Sequence, residues 1–333
     1  MSISSKSTIP DRDGLNRLID EVLDVVNSDK NRTRKEWWAN AEEPWYRDMW
    51  RGIPKKSASC GIPITVAPDN SLWSHILGVD LRNYYNNPLT HLETQLKMKI
   101  YHFKNFNDDT YFSGKVHIWF GVITELSYFG APIKFFSNRE GWIDPPPVLA
   151  DPKALDAMEP PDFYKSGLMP KVHEFYSRIR EVVDERLEVM FPSWARGPFC
   201  IAAHLRGMEN LLMDMVLNPE FVHRLMRFVV DSEKAWMKER SKFLGEPMPK
   251  GKLYNDEIDF PTLSTKLYRE FVLPYEKELS EFYGGITYWH SCGTTTRFFE
   301  GYRRDSGARD VPREPLCGLW EGQGGVRLYG HSP

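Results

Sequence analysis

Apolar residues recur at helical spacing through DGLNRLIDEVLDVVN, where Leu15, Leu18, Ile19, Val22, Val25 and Val26 share a face and Asp13 is a candidate cap. The next stretch, RTRKEWWANAEEPWYRDMWRGIP, is aromatic and basic and reads as a helix packing its Trp face on the body. Residues 71–81 read as a turn and short helix, and Pro88 opens helical spacing over 88–103. Asp151 followed by Pro152 is a cap and first-turn proline. Further helices are expected at about 170–188, after Gly207, and behind Asn218-Pro219-Glu220 with Gly245 at the far end. Residues 264–284 read as helical, with a kink or restart at Pro274. Short apolar runs at 61–67, 115–123, 193–203, 252–258 and 284–293 read as strands. From about residue 115 strands alternate with helices, the pattern of parallel strands joined by helical crossovers, hence an α/β barrel or a doubly wound sheet. No Gly-rich phosphate loop follows a strand, which argues against a dinucleotide fold.

Composition narrows the classes. The 333 residues are 41% hydrophobic and 27% charged, the balance of a folded globular chain. Apolar runs are short and broken by charge, and none approaches the roughly 20 residues of a membrane span. The first residues, MSISSKSTIPDRDG, lack the apolar core of a signal peptide, so a cytoplasmic location is expected. A net charge of −3 offers no electrostatic footprint for nucleic acid. Four cysteines, Cys60, Cys200, Cys292 and Cys317, are too scattered for a disulfide framework. The 11 tryptophans fit a large core or a pocket with flat walls.

Tyr288-Trp289-His290-Ser291-Cys292-Gly293 is the sharpest chemical signal. Positions i and i+2 of a strand face the same way, so His290 and Cys292 can offer an imidazole nitrogen and a thiolate to one Zn²⁺. The bland alternative is a strand-end histidine beside a buried cysteine. Asp256 and Glu257 end the preceding strand, where a carboxylate can ligate metal, orient a ligand or act as acid or base, or simply sit solvated in a loop. Arg196 and His204 follow another strand end and are candidates for substrate binding, with a surface Arg as the alternative. Asp69, after the first strand candidate, is in a similar position. There is no nucleophile elbow and no HExxH helix.

Residues 193–300 resemble the uroporphyrinogen decarboxylase superfamily. The resemblance is carried by GPFCIAAHLRGMENLLMDMVLNPEFVHRLMRFV, NDEIDFPTLSTKLYREFVLPYEKEL and ITYWHSCGTTTRFFE, in order and at matching spacing, with a fainter match in GIPITVAPDNSLWSHILGVDL. It implies a (β/α)8 TIM-like barrel, truncated here at its C-terminal end. The decarboxylase branch carries an arginine-rich RQAGRY stretch, and the comparable region here does not contain it. The corrinoid-dependent methyltransferase branch carries H-x-C and a distant Cys as zinc ligands. His290 and Cys292 match the first two, with Asp256 or Glu257 to complete or tune the site. Cys317 lies only 25 positions beyond Cys292, closer than the family's third ligand. The implied cofactor is Zn²⁺, with a corrinoid or methylcobalamin as co-substrate. The implied partners are a small methyl donor or acceptor and a corrinoid protein, with neither nucleic acid nor membrane.

The expected organisation is a helical segment at 1–55 packing on a barrel at 56–300, then an atypical tail at 301–333. That tail is rich in glycine and has no helical or strand period; it reads either as a flexible end or as a slipped reading frame. Three functions follow: a zinc-dependent methyltransferase first, a porphyrinogen decarboxylase second, and a non-catalytic truncated paralogue third.

Overall fold

The computed structural model describes residues 11–38, 63–295 and 297–298. In chain order its elements begin with helices α1 (Arg12–Asn27), α2 (Asp29–Glu36), α3 (Asn70–Leu77), α4 (Leu81–Tyr84) and α5 (Pro88–Asn105). Strand β1 (Lys115–His117), helix α6 (Thr124–Tyr128), strands β2 (Ile133–Lys134) and β3 (Trp142–Ile143) and a 3₁₀ helix at Pro152–Ala157 follow. Then come α7 (Met169–Val183), β4 (Glu188–Met190), α8 (Pro198–Arg206), α9 (Met208–Leu217) and α10 (Pro219–Leu244). The last are β5 (Gly251–Tyr254), α11 (Thr265–Phe271), α12 (Leu273–Tyr283) and β6 (Ile286–His290). Two compact units divide the chain: one comprises Met1–Gly121, Lys134–Trp142 and Pro170–Pro192, the other Val122–Ile133, Ile143–Met169 and Ser193–Pro333.

In the first unit α1 buries Leu15, Ile19, Val22 and Val25 and packs on α5. Asp11, rather than Asp13, caps it by accepting the Gly14 N–H. Pro88 opens α5 as its spacing predicts, with Asn87 Oδ1 accepting from Leu89 and Thr90 N–H at 2.9 and 3.0 Å. β1 and β4 pair in parallel with Val116 opposite Val189.

The second unit is built on α10, whose buried stripe includes Phe221, Leu225, Val229 and Trp236 and meets α8, α9 and α12. Its sheet is the parallel pair β5–β6, with Leu253 opposite Trp289 and Tyr254 opposite His290. Pro274 does restart the helix: α11 ends at Phe271 and α12 begins at Leu273.

The expected (β/α)8 barrel is not formed by the described residues. Among the described residues the strands make three separate two-stranded sheets, β1–β4, β2–β3 and β5–β6, and no ladder joins them into a closed ring. A barrel needs a partner on both sides of every strand. β5 has β6 on one side and on the other only an isolated parallel bridge, Arg196 to Tyr254. Residues 63–67 form no strand because side chains take their donors: Ile64 N–H goes to Asp109 Oδ2 at 2.7 Å and Val66 N–H to Asp108 Oδ2 at 2.8 Å. The run at 115–123 pairs only as far as His117, apart from Ile118 N–H on Met190 O. The run at 193–203 becomes helical at Pro198, a first-turn proline behind Gly197. The tail at 301–333 and Cys317 lie outside the described residues, as do Cys60 and residues 39–62.

Glu233 is fully buried on α10, its Oε1 accepting from Tyr283 OH at 2.6 Å and its Oε2 meeting no donor. Burial, together with the nearby Glu125, pushes its carboxyl up from 4.5 to about 8. A group that keeps its proton in the fold but loses it when unfolded stabilises the fold below about pH 4.5 and loses that contribution as pH rises toward 8. Glu233→Gln mimics the protonated form. Thermal midpoints of the wild type should therefore fall relative to this variant between pH 5 and 8.5, and parallel curves would refute the assignment.

Candidate metal centre

Two strand ends converge in the second unit. Opposite Tyr254 in the ladder stands His290, and the Asn255 N–H donates to His290 O at 2.7 Å, so the chain after β5 stays against the end of β6. Ser291 ties the following turns: its Oγ donates to Ile258 O at 2.7 Å and accepts the Gly293 N–H at 3.0 Å. Thr294 N–H donates to Asp259 Oδ1 at 2.7 Å, and Phe260 N–H to Thr294 O at 3.0 Å. These bonds hold the NDEID turn to the HSCGT turn.

The result is a triangle of unlike donors. His290 Nε2 lies 3.3 Å from Cys292 Sγ and 3.3 Å from Asp256 Oδ1, and Cys292 Sγ donates to Asp256 Oδ1 at 3.2 Å. All three donor atoms fall within 4.8 Å of one another, the span expected of a metal-binding group. Zinc bonds of about 2.0–2.3 Å at tetrahedral angles set ligand atoms roughly 3.3–3.6 Å apart, so one nitrogen, one sulfur and one carboxylate oxygen here fit a Zn²⁺ ion. Cys292 is exposed while His290 and Asp256 are half-buried, which leaves the group an open side. Burial works to raise the Asp256 carboxyl; hydrogen bonds from His290 and Cys292 and the charge of Arg196 outweigh it and hold it below its ordinary range.

Beside the triangle lies a charged cluster. Arg196 is 5% exposed and its guanidinium donates to Glu257 Oε1 and to Val122 O, the latter at 3.2 Å. His204 Nε2 meets the same Glu257 Oε1 at 2.5 Å and Arg196 Nη2 at 2.9 Å. Burial opposes ionisation of Glu257, but His204 and Arg196 together pull its carboxyl below the usual value. Glu125 supports the cluster from α6, its Oε1 accepting the Ala195 and Arg196 N–H groups at 3.1 and 3.2 Å. Burial raises the Glu125 carboxyl despite these bonds.

The candidate residues thus divide. Asp256, His290 and Cys292 come together, and Arg196, His204 and Glu257 form a second knot linked to the first through the Asp256–Glu257 peptide. Asp69 belongs to the first unit, where it caps α3 by accepting the Leu72 N–H at 2.7 Å. Sequence reasoning missed Glu125 and Glu276. Glu276 is fully buried on α12, and its Oε1 accepts from Asn255 Nδ2 at 2.7 Å and from Trp289 Nε1 at 3.0 Å. Its Oε2 accepts from Tyr268 OH at 2.7 Å. Burial lifts this carboxyl to about 7 against the pull of its three donors. The available signal was a lone carboxylate in the buried stripe of Leu273, Glu276, Leu279 and Tyr283.

The family model of uroporphyrinogen decarboxylase (URO-D) matches residues 76–311, so the chain belongs to the URO-D family. A curated relative, the methylated-thiol–coenzyme M methyltransferase of Methanosarcina mazei, is 26% identical over 172 residues, which cover 49% of this chain and 44% of that protein. The chain thus spans less than half the length of that relative. A solved structure described as a methyltransferase from Methanosarcina mazei aligns with a TM-score of 0.50 and 14% identity, covering 69% of this chain and 64% of the other. That likeness is one of fold. No helix among the described residues is long and apolar enough to cross a membrane.

Proposed function

We propose that this protein is a zinc-dependent methyltransferase that moves a methyl group between a small thiol or methyl donor and a corrinoid, carried on a partner protein. The observation that carries the reading is the Asp256–His290–Cys292 triangle, set in a chain of the URO-D family whose curated relative is a methyltransferase. His290, Cys292 and Asp256 hold the ion, with a side left open for a substrate atom. When bound, zinc lowers the pKa of a coordinated thiol and keeps it as the nucleophilic thiolate at neutral pH.

The chain's own residues handle the proton and the charge. His204 Nε2 lies 2.5 Å from Glu257 Oε1, and this pair is placed to take up the proton that an incoming thiol releases. Arg196 fixes Glu257 and offsets its charge, so Asp256 and a zinc-bound Cys292 thiolate would not be crowded by a third free anion. Glu125 fixes the backbone from which Arg196 projects.

Purified full-length protein should retain about one zinc per chain after gel filtration. With zinc it should transfer methyl between methylcobalamin and small thiols, followed by the absorbance change of the corrinoid. Metal-free protein with unchanged turnover would overturn the zinc assignment, and zinc-loaded protein inert toward every thiol and corrinoid pairing would overturn methyl transfer.

A further inference from the structure

We propose that Glu276 is a positioning residue: one buried carboxylate oxygen gathers the ends of β5 and β6 and so sets the spacing of Asp256, His290 and Cys292. The inference rests on the zinc-binding reading above and extends it to a residue outside the donor set.

A single atom, Glu276 Oε1, accepts from Asn255 Nδ2 and from Trp289 Nε1. Asn255 immediately precedes Asp256, and Trp289 immediately precedes His290. Side chains alternate along a strand, so the residue before each donor points inward while the donor points away from the core. Leu253, Asn255 and Trp289 are buried; Tyr254 and His290 are half-buried. Glu276 thus grips the inward side of both strand ends. The second oxygen is held by Tyr268 OH at 2.7 Å, so the carboxylate cannot swing between its two partners. An aliphatic side chain would fill the same stripe of α12 more cheaply, because burying a carboxyl is costly unless its bonds are needed. Each donor here would also be left without its acceptor if Glu276 were removed.

The test uses full-length protein loaded with Co²⁺, whose visible bands report ligand geometry and whose thiolate band reports Cys292. Glu276→Leu should weaken cobalt binding about 10–100-fold, the range typical when a group that orients metal ligands is lost, and should alter the bands. Glu276→Gln keeps an oxygen that accepts from Asn255 and Trp289, and it should restore binding to within about threefold. A Leu variant that melts as sharply as wild type and binds cobalt with the same affinity and spectrum would overturn the proposal. If the Leu variant does not fold, Trp289→Phe, which removes the indole donor together with part of its buried ring, is read in its place by the same criteria, provided it melts as sharply as wild type. Hydrogen exchange of the Asn255 amide, bonded to His290 O, separates this inference from the one it rests on. Wild type that binds no cobalt defeats the zinc reading. In that event faster Asn255 exchange in Glu276→Leu, restored in Glu276→Gln, upholds the clamp, and unchanged exchange overturns it.

Discussion

Zinc affinity should fall by ~100-fold or more when His290 is replaced by alanine or Cys292 by serine. Structural zinc sites are worth about 10–16 kcal/mol over four ligands, so one ligand carries roughly 3 kcal/mol, or two powers of ten. His290, the last residue of β6, and Cys292, in the turn two residues on, stand 3.3 Å apart, and neither loss can be made good by the other. Asp256→Asn should cost less, because the amide retains a neutral oxygen while losing the charge. Glu257→Gln should leave zinc in place while slowing methyl transfer, since Glu257 meets Arg196 and His204 rather than the triangle. Competition with a chromophoric chelator measures all four. Equal affinity for wild type and His290→Ala would remove the triangle as the metal site.

Replacing Gly197 by alanine should destabilise the fold by about 3 kcal/mol, the upper range for an overpacked core. A Cβ at Gly197 would fall inside the envelope of Asn255 Oδ1 and 2.8 Å from Asn255 Cγ. Asn255 cannot yield: it is fully buried, its N–H is on His290 O, and its amide is on Glu276. At about 2–4 °C per kcal/mol the melting midpoint should drop by roughly 6–12 °C, and bound zinc should fall with it. Gly114→Ala is the control, since its added Cβ meets only Leu187 Cδ2 at an ordinary 3.5 Å. A Gly197→Ala protein that melts with wild type would show that Asn255 is not confined as described.

Local signals proved legible where local physics decides the outcome. Pro88, Pro219 and Pro274 open or restart helices, and Gly245 closes α10 in the left-handed region with φ of 68°. The strand period of two was the reason to pair His290 with Cys292, but β6 ends at His290 and Cys292 meets it from the turn beyond. The barrel was misread because an apolar run specifies burial and not a partner. Residues 63–67 satisfy their N–H groups on Asp108 and Asp109, which no periodicity shows. Asp69 reads as a strand-end carboxylate only while that strand is assumed; once it is gone, the same residue is a helix cap. Glu125 and Glu276 were hidden for a related reason: the strand-end residues they hold, Ala195, Arg196, Asn255 and Trp289, lie at least 13 positions away, and that chemistry becomes visible only once the chain is folded.

The division of labour along β5 and β6 has an evolutionary reading. Residues that anchor the strand ends, Asn255 and Trp289, alternate in sequence with residues that face outward, Asp256 and His290. Each class can therefore drift without dragging the other. On the proposed reading, exchanging the carboxylate at 256 or the imidazole at 290 changes the metal preference of the triangle without touching Asn255 and Trp289, the residues bonded to Glu276.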